Sequence, residues 1–433
     1  MKNILIIDAY HDSDRGGAGI LAGIINILKK IEKEKDDNFN IGVLYRVSEN
    51  DNRYNTAFRH TKKKYPFIKF YGSIINTEKS QKGFLNKFRT LEKIIKAFFM
   101  LCFPFYFRSN PTMKALLEAD YIFSKGGHFY QFDNFSLISC FVSNFLKYYT
   151  ILLAIRLKKT IFLLSHSFGP FSGKWNKLFS RIILKKVTYL STREEISRKI
   201  LLDDVGLLNK TIDVLPDLAF ALKPASKEEI KKYLSEKKLE FKNYAVFTPR
   251  YWNFGKKNIK DYRNLYNNYL HVQAKIIDDL ISKKLIKKVA LVRHNDGKHS
   301  VYEDDILPLR EIYNKIKNKK DVIIFDEDYS PSIQSALYGA SKILIGTRLH
   351  SVIFSLIGGA PALAIGYTHK SLGIMRMLNL EEYVVDINNF TYSESIKKIE
   401  DILRNEKEIL EKINHKLKKM KRLLENKVTM ILS

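Results

Sequence analysis

Cysteine is nearly missing. The 433 residues carry only Cys102 and Cys140, each inside an apolar run. This excludes a disulfide-built scaffold and predicts buried free thiols in a reducing compartment. Acidic residues are also scarce: 46 Asp and Glu stand against 74 Lys and Arg, a formal net charge of +28. Such an excess fits nucleic acid, an anionic membrane face or anionic substrates, or simply a chain rich in Lys throughout. There is no zinc-finger spacing, no RNA-binding aromatic signature and no isolated basic helix, so nucleic acid is not an expected partner. Long apolar runs are lacking too. The ten residues from Phe98 to Phe107 are continuously apolar, but a bilayer crossing needs about 20. The opening run Ile4–Ile7 is cut off by Asp8, so no leader peptide is expected and the cytosol is the expected location.

What is there is a repeated alternation of strand and helix. KNILIIDAY (2–10) reads as a buried strand, followed by a loop with Gly16, Gly17 and Gly19, an amphipathic helix, and a second strand at 40–47. This is the opening of a doubly wound parallel sheet. The glycines lack the full dinucleotide spacing, so no nicotinamide cofactor is inferred. Strands at 119–133, 158–170, 187–192 and 211–222 complete a first half. Residues 223–243 are Lys-rich and contain Pro224, which reads as a linker. Further strands at 244–250, 287–296, 321–328, 341–350 and 362–367 build a second half. Apolar residues at helical spacing over 391–426 predict one or two long amphipathic helices, with a coiled-coil dimer as the lesser reading, so the oligomeric state stays open. The expected architecture is α/β: two Rossmann-like domains, 1–222 and 244–390, facing across a cleft, with a helical tail at 391–433.

In open α/β sheets ligands bind outside the carboxyl ends of the strands, and polar residues gather at those ends here. Arg193 follows one strand in the first half. Arg348 and His350 follow another in the second, and Lys370 ends the next strand-like run. Helix N-termini favour anions, and Arg adds a fork suited to carboxylate or phosphate. Only 18 of the cations are Arg against 56 Lys, so an Arg inside an apolar motif is hard to assign to background. The alternative for each Arg is a structural pair with a carboxylate such as Asp217. His350 has the chemistry of a general acid or base, or of a satisfied core histidine. No Ser-His-Asp order, activated Cys or metal-ligand spacing stands out, and His294, His299 and Asp296 read as a loop cluster rather than a metal site. The segment 82–108 places Lys87, Arg89, Lys93 and Lys96 among apolar residues at helical spacing. It reads as a helix packed on the sheet or as an interfacial segment in peripheral contact with a membrane. A second stretch, 135–159, reads as a core helix.

The blocks GGHFYQFD (126–133), SHSFGP (165–170), STREEIS (191–197), VLPDLAF (214–220) and IGTRLHSVIFSLIGGAPALAIGYTHKSLGI (345–374) resemble the polysaccharide pyruvyl transferase family. The resemblance runs from about residue 115 to 380. It implies a two-domain, glycosyltransferase-B-like fold and transfer of pyruvyl from phosphoenolpyruvate to sugar hydroxyls of a cell-surface polysaccharide or its lipid-linked precursor, with no cofactor and no metal. By motif it implies phosphoenolpyruvate binding by Arg193, Arg348 and Lys370, and catalysis by His350 with Asp217 or His166 serving the acceptor. The sugar acceptor is expected against Gly16, Gly17, Gly126, Gly127, His128, Arg250 and His294. His128 and His166 depart from the family's usual residues, as does DRGGAG (14–19), which puts acceptor identity in question. A nucleotide-sugar glycosyltransferase of the same fold, or a non-catalytic scaffold in polysaccharide assembly, are the rival readings.

Overall fold

The computed structural model describes residues 1–49, 51, 54–74, 84–255, 259–297 and 304–433. The chain forms two compact units. One holds Met1–Asp12, Ile24–Leu218 and Leu423–Ser433, and the other holds Ser13–Gly23 and Ala219–Arg422. Two helices, Arg15–Lys35 and Glu406–Leu432, therefore contribute residues to both.

The first unit is built on β1 (Lys2–Ala9), β2 (Phe39–Tyr45), β3 (Lys69–Tyr71), β4 (Tyr121–Ser124), β5 (Gly127–Phe132), β6 (Thr160–Phe171), β7 (Tyr189–Thr192) and β8 (Ile212–Val214). Their order is β3-β2-β1-β4-β6-β7-β8, with β5 on β6, and every pairing is parallel. Ile4, Leu5, Ile6 and Ile7 are all buried, as a parallel strand covered on both faces requires. β4 and β5 lie along successive halves of β6: Tyr121 aligns with Thr160, and Gly127 with His166. The long run at 119–133 is thus one strand direction bent at Lys125–Gly126.

The second unit holds β9 (Tyr244–Thr248), β10 (Lys288–Val292), β11 (Val322–Phe325), β12 (Ile343–Gly346), β13 (Ala362–Gly366) and β14 (Val384–Asp386). Their order is β11-β10-β9-β12-β13-β14, again parallel throughout. Both sheets reverse their winding direction once, between β1 and β4 and between β9 and β12. Those reversals are where open α/β sheets leave room for a ligand.

Residues 223–243, where a linker is expected, hold the helix Lys227–Glu236. It starts with a capping box between Ser226 and Glu229 and buries Ile230 and Leu234. The tail holds the helices Tyr392–Arg404 and Glu406–Leu432. They bury Ile396, Ile399 and Ile402 in the first, and Ile413, Met420 and Leu424 in the second. The segment 82–108 gives the helix Phe84–Cys102 and a 3-10 turn at Pro104–Phe107. Lys82 and Gly83 lie outside the described residues, as do the side chains of Lys87, Arg89 and Lys93. Ala97 and Met100 join the first unit's core. The stretch at 135–159 is the helix Leu137–Arg156, which buries Cys140, Phe145, Tyr148 and Leu153. It is long and apolar enough to cross a membrane by length and composition, but these contacts place it on the sheet.

Candidate active site

In the first unit, polar side chains collect at the β1/β4 reversal. Asp8 stands at the end of β1 with φ 63°, a left-handed backbone that a non-glycine residue seldom adopts. Its carboxylate accepts from Ser124 Oγ at 2.7 Å, Tyr130 Oη at 3.0 Å and Arg46 Nε at 3.1 Å. Ser124 Oγ also lies 2.7 Å from His166 Nε2. A hydroxyl has one proton, and Ser124 gives it to Asp8. His166 therefore donates from Nε2 and keeps its lone pair on Nδ1. Burial pushes this imidazole down to about 3, with Asp8 opposing and Lys125, Arg193 and Arg46 adding to the shift. His166 is neutral and fully buried, which argues against acid–base service to an acceptor and for a positioning role. Gly126, at φ 85°, passes so close to β6 that a β-carbon there would sit 2.7 Å from the Leu164 carbonyl oxygen. His128 donates from Nε2 to the Gly169 carbonyl at 2.9 Å.

Beside this network, Arg193 is 3% exposed and Asp217 is 1% exposed. Arg193 Nη1 donates to Asp217 at 2.7 Å and Nε donates to Ser167 Oγ at 2.6 Å. Ser167 in turn donates to Glu194 at 2.9 Å. The structural pair weighed for Arg193 is present, and it engages the carboxylate expected to serve an acceptor hydroxyl.

In the second unit the reversal between β9 and β12 carries a different set. Arg348 stands at the N-terminal boundary of the helix Leu349–Gly358, its side chain making no capping bond. Its Nη2 donates to Asp305 Oδ1 at 2.7 Å and its Nε to both carboxylate oxygens at 3.1 and 3.2 Å. The pairing carboxylate is thus Asp305 and not Asp217. Burial raises the Asp305 carboxyl, against the pull of Arg348 and the Asn295 N–H. His350 follows one residue after Leu349, and Gly16 packs against its ring. A β-carbon on Gly16 would come within 2.2 Å of His350 Nδ1, so glycine is required there by proximity. Arg15, next to Gly16, is buried and pairs with Asp328 and, at 3.6 Å, with Asp296. His294 is buried beside Tyr338 Oη at 3.2 Å. Its pKa is held well below the usual value by burial, then by Arg348, His350 and Arg15. His299 of the expected loop cluster lies outside the described residues, and among the described residues no group of His, Cys, Asp and Glu has metal-binding geometry.

Arg250 follows β9 and rests on aromatic rings, 4.3 Å from the centroid of Tyr367 and 5.2 Å from Trp252. Its Nε donates to the Tyr251 carbonyl at 3.2 Å. Lys370 lies in the first turn of the helix His369–Met377, after β13. Since β9, β12 and β13 are adjacent strands, Arg250, Arg348 with His350, and Lys370 follow three neighbouring carboxyl ends of one sheet. Neighbouring strands are about 4.8 Å apart. Arg250, His294, Gly16 and Gly17, expected against the acceptor, thus belong to the same unit as Arg348 and Lys370. Arg193, Asp217, His166, Gly126, Gly127 and His128 belong to the other.

Residues 17–369 match the family described as polysaccharide pyruvyl transferase. The chain belongs to the polysaccharide pyruvyl transferase family. A curated relative, the amylovoran biosynthesis protein AmsJ of Erwinia amylovora, is 25% identical over 281 residues, covering 64% of this chain and 66% of that protein. The chain thus spans just under two thirds of that relative's length. Among solved structures, it is similar to a putative UDP-N-acetylglucosamine 2-epimerase from Listeria monocytogenes, at TM-score 0.56 and 13% identity over 95% of this chain and 91% of that one. It is also similar to Anabaena Alr3699/HepE solved with UDP and glucose, at 0.55 and 10% over 100% and 99%. Phytolacca americana UGT2 gives 0.51 and 9%, over 100% of both chains. At these identities the likeness shows the glycosyltransferase-B-like fold alone.

Among the residues of these clusters that sequence reading does not assign to the site are Asp305, Arg15 and Asp8. Asp305 left no signal in the sequence beyond preceding a helix. Arg15 was hidden in a glycine loop. Asp8 was legible as a carboxylate closing an apolar strand.

Proposed function

We propose that this chain transfers the pyruvyl group of phosphoenolpyruvate to two hydroxyls of a sugar in a cell-surface polysaccharide or its lipid-linked precursor, forming a pyruvate ketal. The observation that carries the reading is the row of Arg250, Arg348, His350 and Lys370 over adjacent strands β9, β12 and β13. Phosphoenolpyruvate presents a carboxylate and a phosphate close together. Guanidinium forks, an ammonium and two helix N-termini match that charge and shape. Asp305 fixes the Arg348 fork before any ligand arrives, so little reorganisation remains at the moment of reaction.

The chemistry consumes one donor and two hydroxyls. A proton adds to the methylene carbon, making it the methyl group. One hydroxyl oxygen bonds to the central carbon and gives up its proton. The bridging C–O bond to phosphate breaks, and the second hydroxyl takes its place with loss of its own proton. His350 is the group proposed to give and take these protons, since it lies in the first turn of the helix that Arg348 precedes and Gly16 packs against its ring. Arg348 and Lys370 bind the phosphate and carboxylate, with Arg250 added to them from the acceptor set. Arg193, expected on phosphoenolpyruvate, is held by Asp217 in the first unit and is left out of this donor set; Gly126, Gly127 and His128 keep their proposed role toward the acceptor. The cationic side chains supply the electrostatic role, and the scheme calls on no cofactor.

The test is phosphate release from phosphoenolpyruvate with candidate acceptors, and mass spectrometry for a product gain of about 70 Da, pyruvic acid less water. Release that requires acceptor, together with that mass, is the expected outcome. Saturation transfer from UDP-, GDP- or CMP-sugars with none from phosphoenolpyruvate would replace this reading with a nucleotide-sugar transferase.

A further inference from the structure

We infer that the first unit carries a docking face for an anionic lipid surface, built from the helices Phe84–Cys102, Leu137–Arg156 and Gly173–Lys185. The three helices are neighbours. Tyr149 Oη donates to the Ala97 carbonyl at 3.0 Å, Asn144 Nδ2 donates to Asn176 Oδ1 at 2.8 Å, and the rings of Phe141 and Phe179 lie 5.9 Å apart. Their inner sides are core: Met100, Tyr148, Leu153 and Leu184 are buried. Their outer side is aromatic. Phe98, Phe99, Phe105 and Tyr106 are 53, 54, 64 and 85% exposed, and Phe135 and Ile138 are 74 and 78% exposed. More than half of the exposed large apolar side chains among the described residues fall between Ile95 and Ile182. Soluble surfaces rarely concentrate them so.

Charge chooses the occupant. The helices Leu137–Arg156 and Gly173–Lys185 contain no acidic residue, while Arg156, Lys174, Arg181 and Lys185 are exposed cations on them. Aromatic side chains interleaved with Lys and Arg are the pattern of a surface seated at the headgroup level of an anionic membrane. A second copy of the same face would set like charges against each other. The Asn144–Asn176 bond and the buried Tyr148 keep the long apolar helix on the sheet, so the face lies on the membrane and does not cross it. This inference does not rest on the donor chemistry.

The test is flotation of the full chain with phosphatidylcholine vesicles, with and without phosphatidylglycerol. The expected result is flotation with the anionic vesicles, reduced at least about tenfold on neutral vesicles or in high salt. The variant Phe98→Ser/Phe99→Ser/Phe105→Ser/Tyr106→Ser is expected to lose about tenfold in partition, with its melting temperature and phosphate release unchanged. Lys174→Glu/Arg181→Glu/Lys185→Glu is expected to lose the preference for anionic lipid. Protein left at the bottom with anionic vesicles overturns the inference, as does equal flotation on neutral ones. So does a dimer or partner complex that the aromatic substitutions dissolve in protein showing no flotation.

Discussion

The reversal points of the two sheets are alike in topology and unlike in electrostatics. At the first, Asp8 accepts hydrogen bonds from Ser124, Tyr130 and Arg46, and His166 closes the chain behind Ser124. Arg193 is similarly enclosed by Asp217 and Ser167. At the second, Arg348 is braced by Asp305, but Arg250 is supported by rings and acts on the Asp305 carboxyl only as a lesser charge behind Arg348. Aromatic support holds a guanidinium in place without cancelling its charge. The contrast separates a network that fixes shape from an edge that retains positive potential, and it bears on where an anionic donor would go.

The sharpest way to break the contrast is Arg348→Ala. It is expected to lower kcat/KM for phosphoenolpyruvate by about a thousandfold or more. It also leaves Asp305 buried without its partner, at a cost of about 3–5 kcal/mol. Adding Asp305→Asn is expected to restore much of the melting temperature and none of the phosphate release. Recovery of both would make Arg348 structural only. Next in size is Asp8→Ala in the other unit, which removes the acceptor shared by Arg46, Ser124 and Tyr130. A loss of about 2–4 kcal/mol in urea unfolding is expected, while the KM for phosphoenolpyruvate in the protein that stays folded holds steady.

Acid should expose the first network more gently. His166 is depressed to about 3 in the folded chain, against about 6.5 unfolded. Between those values the unfolded chain binds the proton and the folded chain does not. Stability is therefore full above about pH 6.5 and falls as pH drops, by up to about 1.4 kcal/mol per unit from this group. His166→Asn is expected to flatten that slope by about one proton in unfolding experiments across pH. His294 is depressed in the same direction and adds to the slope that remains. The smallest effect is expected from Arg250→Lys, which keeps charge and loses the fit on Tyr367 and Trp252. A KM for phosphoenolpyruvate raised several-fold, with kcat nearly kept, is the expected pattern.

Strand identity was legible because buried parallel strands write themselves as apolar runs: Ile4–Ile7 and Ile343–Ile345 needed no context. β3 and β14, three residues each, carried no such run. The helix Lys227–Glu236 was hidden by its charge, since only Ile230 and Leu234 turn inward. Arg193, Arg348 and His350 were legible as polar residues at strand ends. Their partners were only partly so. Asp217 lies close to Arg193 in chain and pattern, but Asp305 is 43 residues from Arg348, and nothing local records a pairing made by the topology. The burial that depresses His166 is likewise a property of β5 lying along β6, which GGHFYQF does not announce.

Arg15 and Gly16 are encoded far upstream of everything else they touch in their unit. A gene cut after residue 222 would yield a C-terminal product in which Asp296 and Asp328 lack Arg15 and one wall of His350 is missing. A separately expressed C-terminal half should thus rebuild the surroundings of His350 only when the short leading peptide is supplied with it, and recombination between relatives must inherit both together.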